Sequence, residues 1–416
     1  MSSLAVEAVF SNPRRLVRHR FKSVLTRVED RVGGDLEVQR LSLSSAGYLY
    51  ERRGATDRQQ ASETTEQRSL RVAPGQLVVN PMWLTGGSIA VSDMDGAVSP
   101  DYRVFAPRDD LVYPRYLHHL LRSQPYRDQY NLFVRANTTF DRRIQQGDLD
   151  QLPLWLPPLP EQRAIADFLD DRLARIDHIV DAREQQIALL AEGLRAESER
   201  TFAEDLIANA PRLRLGAMCS FFTDGDWIES PQIQNEGVRL IQTGNVGVGE
   251  YKEQGFRYIS EETFVQLKCT SVHEGDVLIS RLASPVGRAC LCPDVGPAIA
   301  SVDVSIARPQ TWMDPRFMVE FLSSPRHLAD TDELARGSTM QRVSRGQLSS
   351  VRIPRPELHV QERVGLHLVK ERRAAAERTA QVQRGIQLLA EYKQALVTAT
   401  LLGEIDVATA GSGIPG

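Results

Sequence analysis

The 416-residue chain contains no apolar run of about 18 residues, so no segment is expected to cross a membrane. Its start, MSSLAVEAVFSNPRRLVRHR, lacks the basic-then-apolar order of a secretory leader, and a cytoplasmic location is the expectation. Cysteine is scarce: Cys219, Cys269, Cys290 and Cys292. A lone Cys-x-Cys with no second pair and no nearby His is a poor metal site, so these read as reduced, structural thiols. No Gly-x4-Gly-Lys-Ser/Thr loop exists, which argues against an encoded ATPase. Net charge of one sign is also small, at −4, so the whole molecule is not a basic polymer binder, although a local basic face stays open. Lysine occurs only at 22, 252, 268, 370 and 393, leaving arginine to supply 45 of the 50 basic residues. Arginine suits bidentate contact with phosphate and guanine; a GC-rich coding sequence would give the same bias.

What is present is an ordinary globular composition, 42% hydrophobic and 25% charged, over a length fitting two or three domains. Short apolar runs (LVVN 77–80, SIAV 88–91, YRVF 102–105) between Gly, Pro and Asp turns predict strands, and LVYPRYLHHLLRS (111–123) a short helix. A proline-rich hinge, LPLWLPPLPEQ (152–162), follows. From 163 to about 207 there is no proline and only Gly193, with apolar residues at Leu169, Leu173, Ile176, Val180, Ile187, Leu190 and Leu194. That is a heptad seam skipping Arg183, and it predicts one helix about 65–70 Å long that needs a long partner. Strands recur at VRLIQ (238–242), DVLIS (276–280) and VDVSIA (302–307), a helix at RFMVEFLSS (316–324), and a second proline cluster at IPRPEL (353–358). A second long stretch from about 359 to 402 has the weaker seam Leu368, Ala375, Val382, Ile386, Leu389 and Leu396, with Arg372 and Thr379 in seam positions.

This order is an internal repeat. LLAE at 189–192 recurs at 388–391, and the same offset of 199 aligns Pro157 with Pro356, Gln162 with Gln361 and Gly147 with Gly346. GQLVVN (75–80) sits opposite GDVLIS (275–280), one residue out of register. The expected organisation is a globule over 1–151, hinge and first long helix over 152–208, a second globule over 209–352, second hinge and helix over 353–407, and a disordered tail over 408–416. The expected fold class is α+β: two mixed α/β globules joined by two long antiparallel coiled-coil helices, a dumbbell with pseudo-two-fold symmetry. Two similar heads on a rigid rod suit a ligand with two sites at fixed spacing, such as duplex DNA, whose half-sites one turn apart lie about 34–36 Å from each other.

At this level the chain resembles the specificity (S) subunits of type I restriction-modification systems, from about residue 20 to 407. The hinge and helix start LPPLPEQRAIADFLDDRLARID (156–177) is similar to that family's region after its first target-recognition domain. In the first head LSLSSAGYLYERR (41–53), GQLVVNPMW (75–83) and GAVSPDYRVF (96–105) resemble one class of target-recognition domain. In the second, LIQTGNVGVGEY (240–251), GDVLISRLASPVGRA (275–289) and ARGSTMQRVSRGQLSSVRIPRPEL (335–358) resemble the commonest class, and LLGEIDV (401–407) the usual ending. The order of these motifs is more specific than any one of them. The resemblance implies a subunit without catalysis of its own. Each head would read half of a bipartite site in double-stranded DNA. The chain would assemble two adenine-N6 methyltransferase (M) subunits and the motor-nuclease (R) subunits. S-adenosylmethionine is then expected on M, ATP and magnesium on R, and no cofactor on this chain. The second hinge, PRPELHVQER, departs from the first by Val360 in place of Glu161, and the first helix runs on through RAESERTFAEDLIANA without the usual terminal motif.

The alternatives are a free-standing nucleic-acid enzyme and an architectural coiled-coil adaptor. NPMW (80–83) invites comparison with the Asn-Pro-Pro-Tyr motif of amino-methyltransferases, but Met82 replaces the second proline and no glycine loop for S-adenosylmethionine precedes it. GNVGVG (244–249) has the wrong glycine spacing for a dinucleotide loop. Catalytic and metal residues are therefore expected to be none. The favoured DNA contacts are polar, Arg-bearing loops at equivalent places: Arg135, Asn137, Thr138, Thr139, Arg142 and Arg143, then Arg336, Ser338, Thr339, Arg342 and Arg345. Thr243, Asn245, Arg281, Arg288, Asn80 and Trp83 are second in rank. Pro157, Pro158, Glu161 and Gln162 are the candidate partner-binding residues, with helix-start capping the plainer role for the last two.

Overall fold

The computed structural model describes residues 6, 10, 16–35, 37–52, 66–134, 143–335, 341–407 and 409. Contacts divide the chain into two units, Met1–Ala182 with Gly385–Gly416, and Arg183–Arg384. Both boundaries fall inside the two long helices. The tail at 408 and 410–416 lies outside the described residues.

The first unit opens with β1 (Val17–Arg20), α1 (Phe21–Val24) and β2 (Leu25–Val28). It continues through β3 (Leu41–Leu43), β4 (Leu49–Glu51), β5 (Leu70–Val72), β6 (Leu77–Val79), β7 (Ile89–Val91), β8 (Gly96–Val98) and β9 (Arg103–Pro107). Helices α2 (Pro114–Arg122), α3 (Gln124–Phe133) and α4 (Gln146–Gln151), strand β10 (Pro153–Leu156) and helix α5 (Leu159–Phe202) follow. The main sheet has the order β2-β9-β6-β7 and is antiparallel throughout. Leu-Val-Val of β6 is a continuous apolar run because both faces of the sheet are covered. Leu77 and Val79 face Phe105, Leu117, Leu120 and Tyr130, while Val78 turns to the pairs β3-β4 and β5-β8 through Leu41, Leu49 and Val72.

The second unit repeats this plan. After α6 (Asp205–Ala208), β11 (Arg212–Arg214), β12 (Cys219–Asp224), β13 (Val238–Ile241), β14 (Tyr258–Ile259) and α7 (Glu261–Leu267) come β15 (Ser271–Val272), β16 (Val277–Ser280), β17 (Ala289–Leu291), β18 (Ala298–Ala300) and β19 (Val304–Pro309). Then follow α8 (Pro315–Leu322), α9 (Pro325–Leu334), α10 (Arg345–Ser350), β20 (Arg352–Pro354) and α11 (Leu358–Leu401). Its main sheet, β12-β19-β16-β17, has the order seen in the first unit, and Val277 and Ile279 again face helices while Leu278 faces the opposite layer. That opposite layer differs: it is a four-stranded sheet, β14-β13-β18-β15, with β13 and β18 parallel. Cys290, on β17, and Cys292, just after it, pack against that layer, and burial pushes the Cys292 thiol up to about 12, as expected of inert structural cysteines. The turn before each central strand is the same. Gly75 and Gly275 both sit at φ +83°, a left-handed conformation that favours glycine, and donate to Ser92 and Cys292 carbonyls at 2.8 and 2.9 Å.

The prolines expected to form a hinge are partly strand. β10 pairs with β1 and β20 with β11, so the chain enters and leaves each globule through one antiparallel ribbon. Pro153 opens its strand and Pro354 ends its own, where the missing N–H is tolerated. Helix α5 then starts at Leu159, earlier than the hinge reading allowed, because Pro160 stands in the first turn, where its N–H would be unpaired anyway. It ends at Phe202 rather than near 207; Ile207 belongs to the separate α6 and is fully buried.

Each long helix has 44 residues. Within the second unit Glu197 meets His367 at 2.7 Å and Glu204 meets Arg363 at 3.2 Å, so one number falls as the other rises and the helices are antiparallel. In the first unit Asp177 pairs with Lys393, and Leu169 and Ile176 share a core with Leu396 and Leu401. The seam residues Leu169, Ile176, Leu368, Val382 and Leu396 are buried, whereas Arg183, which the heptad skipped, is exposed. Arg372 breaks the second seam for a definite reason. It leaves the helix pair to bind the buried Glu320 of α8, at 3.2 Å from Nε, and the Val248 carbonyl at 2.9 Å.

The start of each long helix is fixed by a buried amide. Gln162 accepts from the Tyr113 N–H at 2.8 Å and donates to the Leu111 and Pro157 carbonyls at 2.9 and 2.8 Å. Gln361 accepts from the Asp314 N–H at 3.0 Å and donates to the Trp312 and Pro356 carbonyls at 3.3 and 2.8 Å. Tyr113 and Asp314 precede α2 and α8, so one side chain joins the hinge, the long helix and the segment leading into α2 or α8. Gln162→Leu and Gln361→Leu keep the approximate volume but orphan one N–H and two carbonyls. Each is expected to lower the unfolding free energy by about 2–4 kcal/mol in denaturant titrations. A loss under about 1 kcal/mol at both positions would show that the amides do not hold the hinge.

Candidate nucleic-acid interface

The segments carrying the favoured contacts fall at equivalent places in the two heads, at the offset of the repeat. Arg135, Asn137, Thr138, Thr139 and Arg142, and Arg336, Ser338 and Thr339, lie outside the described residues; Arg143, Arg342 and Arg345 lie within them. The root of each loop is tied to the turn that follows the central strand. In the first head the Ile144 N–H donates to the Pro81 carbonyl at 3.0 Å, and Arg103 Nη2 to the Ile144 carbonyl at 2.9 Å. In the second the Val343 N–H donates to the Arg281 carbonyl at 3.0 Å, and Arg281 Nε to the Val343 carbonyl at 3.1 Å. Ile144 and Val343 are 199 positions apart and both fully buried, so each loop is anchored by an apolar plug and a buried arginine.

The structure therefore brings Asn80 and Trp83 to the root of the first loop, and Arg281 to the root of the second. Their chemistry is unequal. Asn80 is spent on its own turn, accepting from the Met82 N–H at 3.1 Å, while Trp83 is 53% exposed. Arg281 is a correction to the DNA-contact expectation: it is buried, ion-paired to Asp224 at 2.6 Å and donates to Val343 and Val302 carbonyls. Arg288 is a second correction. Its guanidinium spans the Val246, Thr243, Ala283 and Pro285 carbonyls at 2.7–3.0 Å, and burial lowers its pKa. Asn245 is a third: buried, it accepts from the Gln242 N–H and donates to the Lys252 and Gln254 carbonyls. These residues hold together the turns of the second head, in which Thr243 is half-buried. A polar residue between apolar strands gives the same sequence signal whether it faces solvent or a neighbouring carbonyl.

The exposed cations at the roots are available for anions. Arg345 Nη1 reaches Thr223 Oγ1 at 3.4 Å, and Arg342 and Arg143 face the Asp303 and Asp101 carboxylates. The first root is electrostatically crowded: burial lowers the Arg103 pKa, and Arg27 and Arg143 lower it further. Such a cluster favours an approaching phosphate. Sequence reading missed Arg103, whose position at the start of β9 carries no sign of its role, and Trp227, which is 71% exposed. Trp227 follows Asp226, whose backbone bridges Ser301 near the second root.

The hinge residues also divide. Gln162 and Pro157 are buried within this chain, so they correct the expectation of a partner surface; Pro158 and Glu161 are exposed. No helix among the described residues is long and apolar enough to cross a membrane.

No protein-family model matches the chain. It is 26% identical over 246 residues to the type I restriction enzyme EcoBI specificity subunit of Escherichia coli, a match covering 52% of this chain and 50% of that protein. It is 23% identical over 283 residues to the putative type I restriction enzyme MjaX specificity subunit of Methanocaldococcus jannaschii, covering 63% and 62%. The chain thus spans about half to three-fifths of the length of these relatives. Among solved structures, a chain from a study of complex assembly and conformational transition in a type I restriction-modification system matches with a TM-score of 0.74 at 19% identity, over 94% of this chain and 99% of that one. The HsdS subunit from Thermoanaerobacter tengcongensis matches with a TM-score of 0.53 at 19% identity, over 94% and 98%. The chain thus shares the fold of these two solved structures.

The division of arginines is testable by unfolding. Arg281→Met removes a buried guanidinium, leaving the Val343 and Val302 carbonyls without their donor and the half-buried Asp224 without its ion pair, and is expected to lower the unfolding free energy by about 2–4 kcal/mol. Arg345→Ala, at the surface, is expected to change it by less than about 1 kcal/mol. Equal losses at the two positions would mean that burial does not separate builders of the loop from residues free to bind.

Proposed function

We propose that this chain is the non-catalytic DNA-specificity subunit of a type I restriction-modification enzyme. The observation that carries the reading is the doubled loop root. A main sheet of one strand order, with a loop root closed by an apolar plug and a buried arginine, is built twice and bears two different polar loop sequences. A catalytic protein has no need of two such heads, and an adaptor has no need to diversify them. The likeness to S subunits in sequence and fold supports the same reading.

In this reading residues 1–151 and 209–352 are the two target-recognition domains, and 152–208 and 353–407 are the hinges and helices between them. The loops at 135–143 and 336–345 enter duplex DNA, their arginines and short hydroxyls contacting phosphates and base edges. Trp83 and Thr243 border those loops. Pro158, Glu161 and the outward helix faces receive two methyltransferase subunits, which carry S-adenosylmethionine and methylate adenine N6. The motor-nuclease subunits, with ATP and magnesium, complete the enzyme.

The test is co-expression with the partner methyltransferase subunit in a methylation-free host, followed by long-read mapping of modified adenines. The expected result is a split motif, two short specific blocks separated by a fixed number of unspecified bases, with each block following its head when heads are exchanged. The isolated chain is expected to methylate nothing. A soluble complex with an active methyltransferase and no modified adenine would overturn the reading in favour of an adaptor. Methylation by the chain alone would overturn it in favour of a free-standing enzyme.

A further inference from the structure

At each loop root one exposed arginine faces one aspartate. In the first head Arg143 Nη2 lies 3.4 Å from Asp101 Oδ1, and in the second Arg342 Nη2 lies 2.7 Å from Asp303 Oδ1. The arginines are 199 positions apart, at the offset of the repeat. The aspartates stand just before β9 and β19, the strands that hold the same place in the two main sheets. The arginine side chains are 43% and 46% exposed, so each can swing toward solvent. The second pair is held by charge rather than by an aligned hydrogen bond: Asp303 Oδ1 is buried and has no hydrogen-bond partner among the described residues. The heads otherwise differ here. The buried arginine that anchors the loop comes from β9 in one and follows β16 in the other, yet the exposed Arg–Asp pair recurs.

We infer that Asp101 and Asp303 are selectivity latches, which occupy Arg143 and Arg342 until a correctly seated DNA backbone phosphate takes the carboxylate's place. The inference rests on the DNA-specificity reading above. A carboxylate beside a phosphate-binding arginine opposes every sequence-independent encounter, because the arginine must exchange one anion for another and the carboxylate then faces the phosphates. In a specific complex the contacts of the whole loop offset that opposition; in a non-specific one nothing does. The latch would therefore widen the gap between specific and random binding without touching a base. An exposed ion pair is weak, so the effect per head is a small multiple, and two heads multiply it.

The experiment uses the full chain in complex with its methyltransferase subunits, and two probes: a random-sequence duplex and a duplex bearing the mapped split motif. Asp101→Asn and Asp303→Asn are each expected to tighten random-duplex binding about two- to five-fold, and the double variant about ten-fold. The salt dependence should steepen by about one phosphate contact per head. Binding to the split motif should change less, so the specificity ratio falls. The gain should vanish when Arg143→Ala or Arg342→Ala is added in the same head. Asp109→Asn, which removes the same charge beyond the far end of β9, should give no such gain. Unchanged random binding in the folded double variant would overturn the inference. So would a gain that persists without the arginine, or an equal gain from Asp109→Asn. If the wild-type complex binds the split motif and the aspartate variants behave like it, the latch fails and the specificity reading stands. If the wild-type complex prefers no duplex at all, the specificity reading fails and takes the latch with it.

Discussion

The structure depends on closing each globule where the chain enters and leaves it. The first strand of a head pairs with the last, β1 with β10 and β11 with β20. One step beyond that ribbon a glutamine is buried at the start of a long helix. Its amide satisfies three backbone groups that no strand or helix can pair, in the hinge and in the segment before α2 or α8. A buried unpaired polar group is costly, so the amide fixes the hinge as firmly as an apolar contact would. Within each unit the start of the long helix is thereby hydrogen-bonded to the head. The second unit adds Arg372, which joins its helix to the buried Glu320 and to the loop at Val248.

A fixed head makes loop placement meaningful. The loops at 135–143 and 336–345 are rooted by Ile144 and Val343, with Arg103 and Arg281 closing the backbone behind them. Arginine thus performs two jobs within a few ångströms. Where it is buried, it satisfies carbonyls and a carboxylate, and its loss orphans them. Where it is exposed, as at 143, 342 and 345, its surroundings hold it weakly and an incoming phosphate can compete. The same residue type in the same neighbourhood is scaffold or contact according to burial alone. The second layer behind each main sheet differs between the heads, two strand pairs in one and a four-stranded sheet in the other.

Much of this plan was legible in the residues. The apolar runs at 77–80 and 276–280 became the central strands because alternate side chains enter two cores, which makes each run continuous. The heptad seams became two antiparallel helices, and the offset of 199 aligned Gln162 with Gln361 and Arg143 with Arg342. The candidate contacts fared less evenly. Asn245, Arg281 and Arg288 are polar residues in Gly-rich turns, a pattern shared by surface loops and by loops folded onto themselves. Pro157 and Gln162 looked like a partner surface and are interior.

Sequence alone determined the repeat, the helix lengths and the strand-bearing segments, because periodicity and proline are local properties that each stretch carries with it. It also determined which residue types reach the two loops. Only the tertiary structure decided which arginines are spent. Burial and hydrogen-bond saturation depend on segments far apart in the chain: Arg281 on Asp224 and Val343, Arg288 on Val246, Gln361 on Asp314. The pairing of Asp101 with Arg143 and of Asp303 with Arg342 is of this kind, since the aspartates do not share the offset of the arginines. Charge contacts at a few ångströms arise from the approach of strands that sequence spacing does not encode.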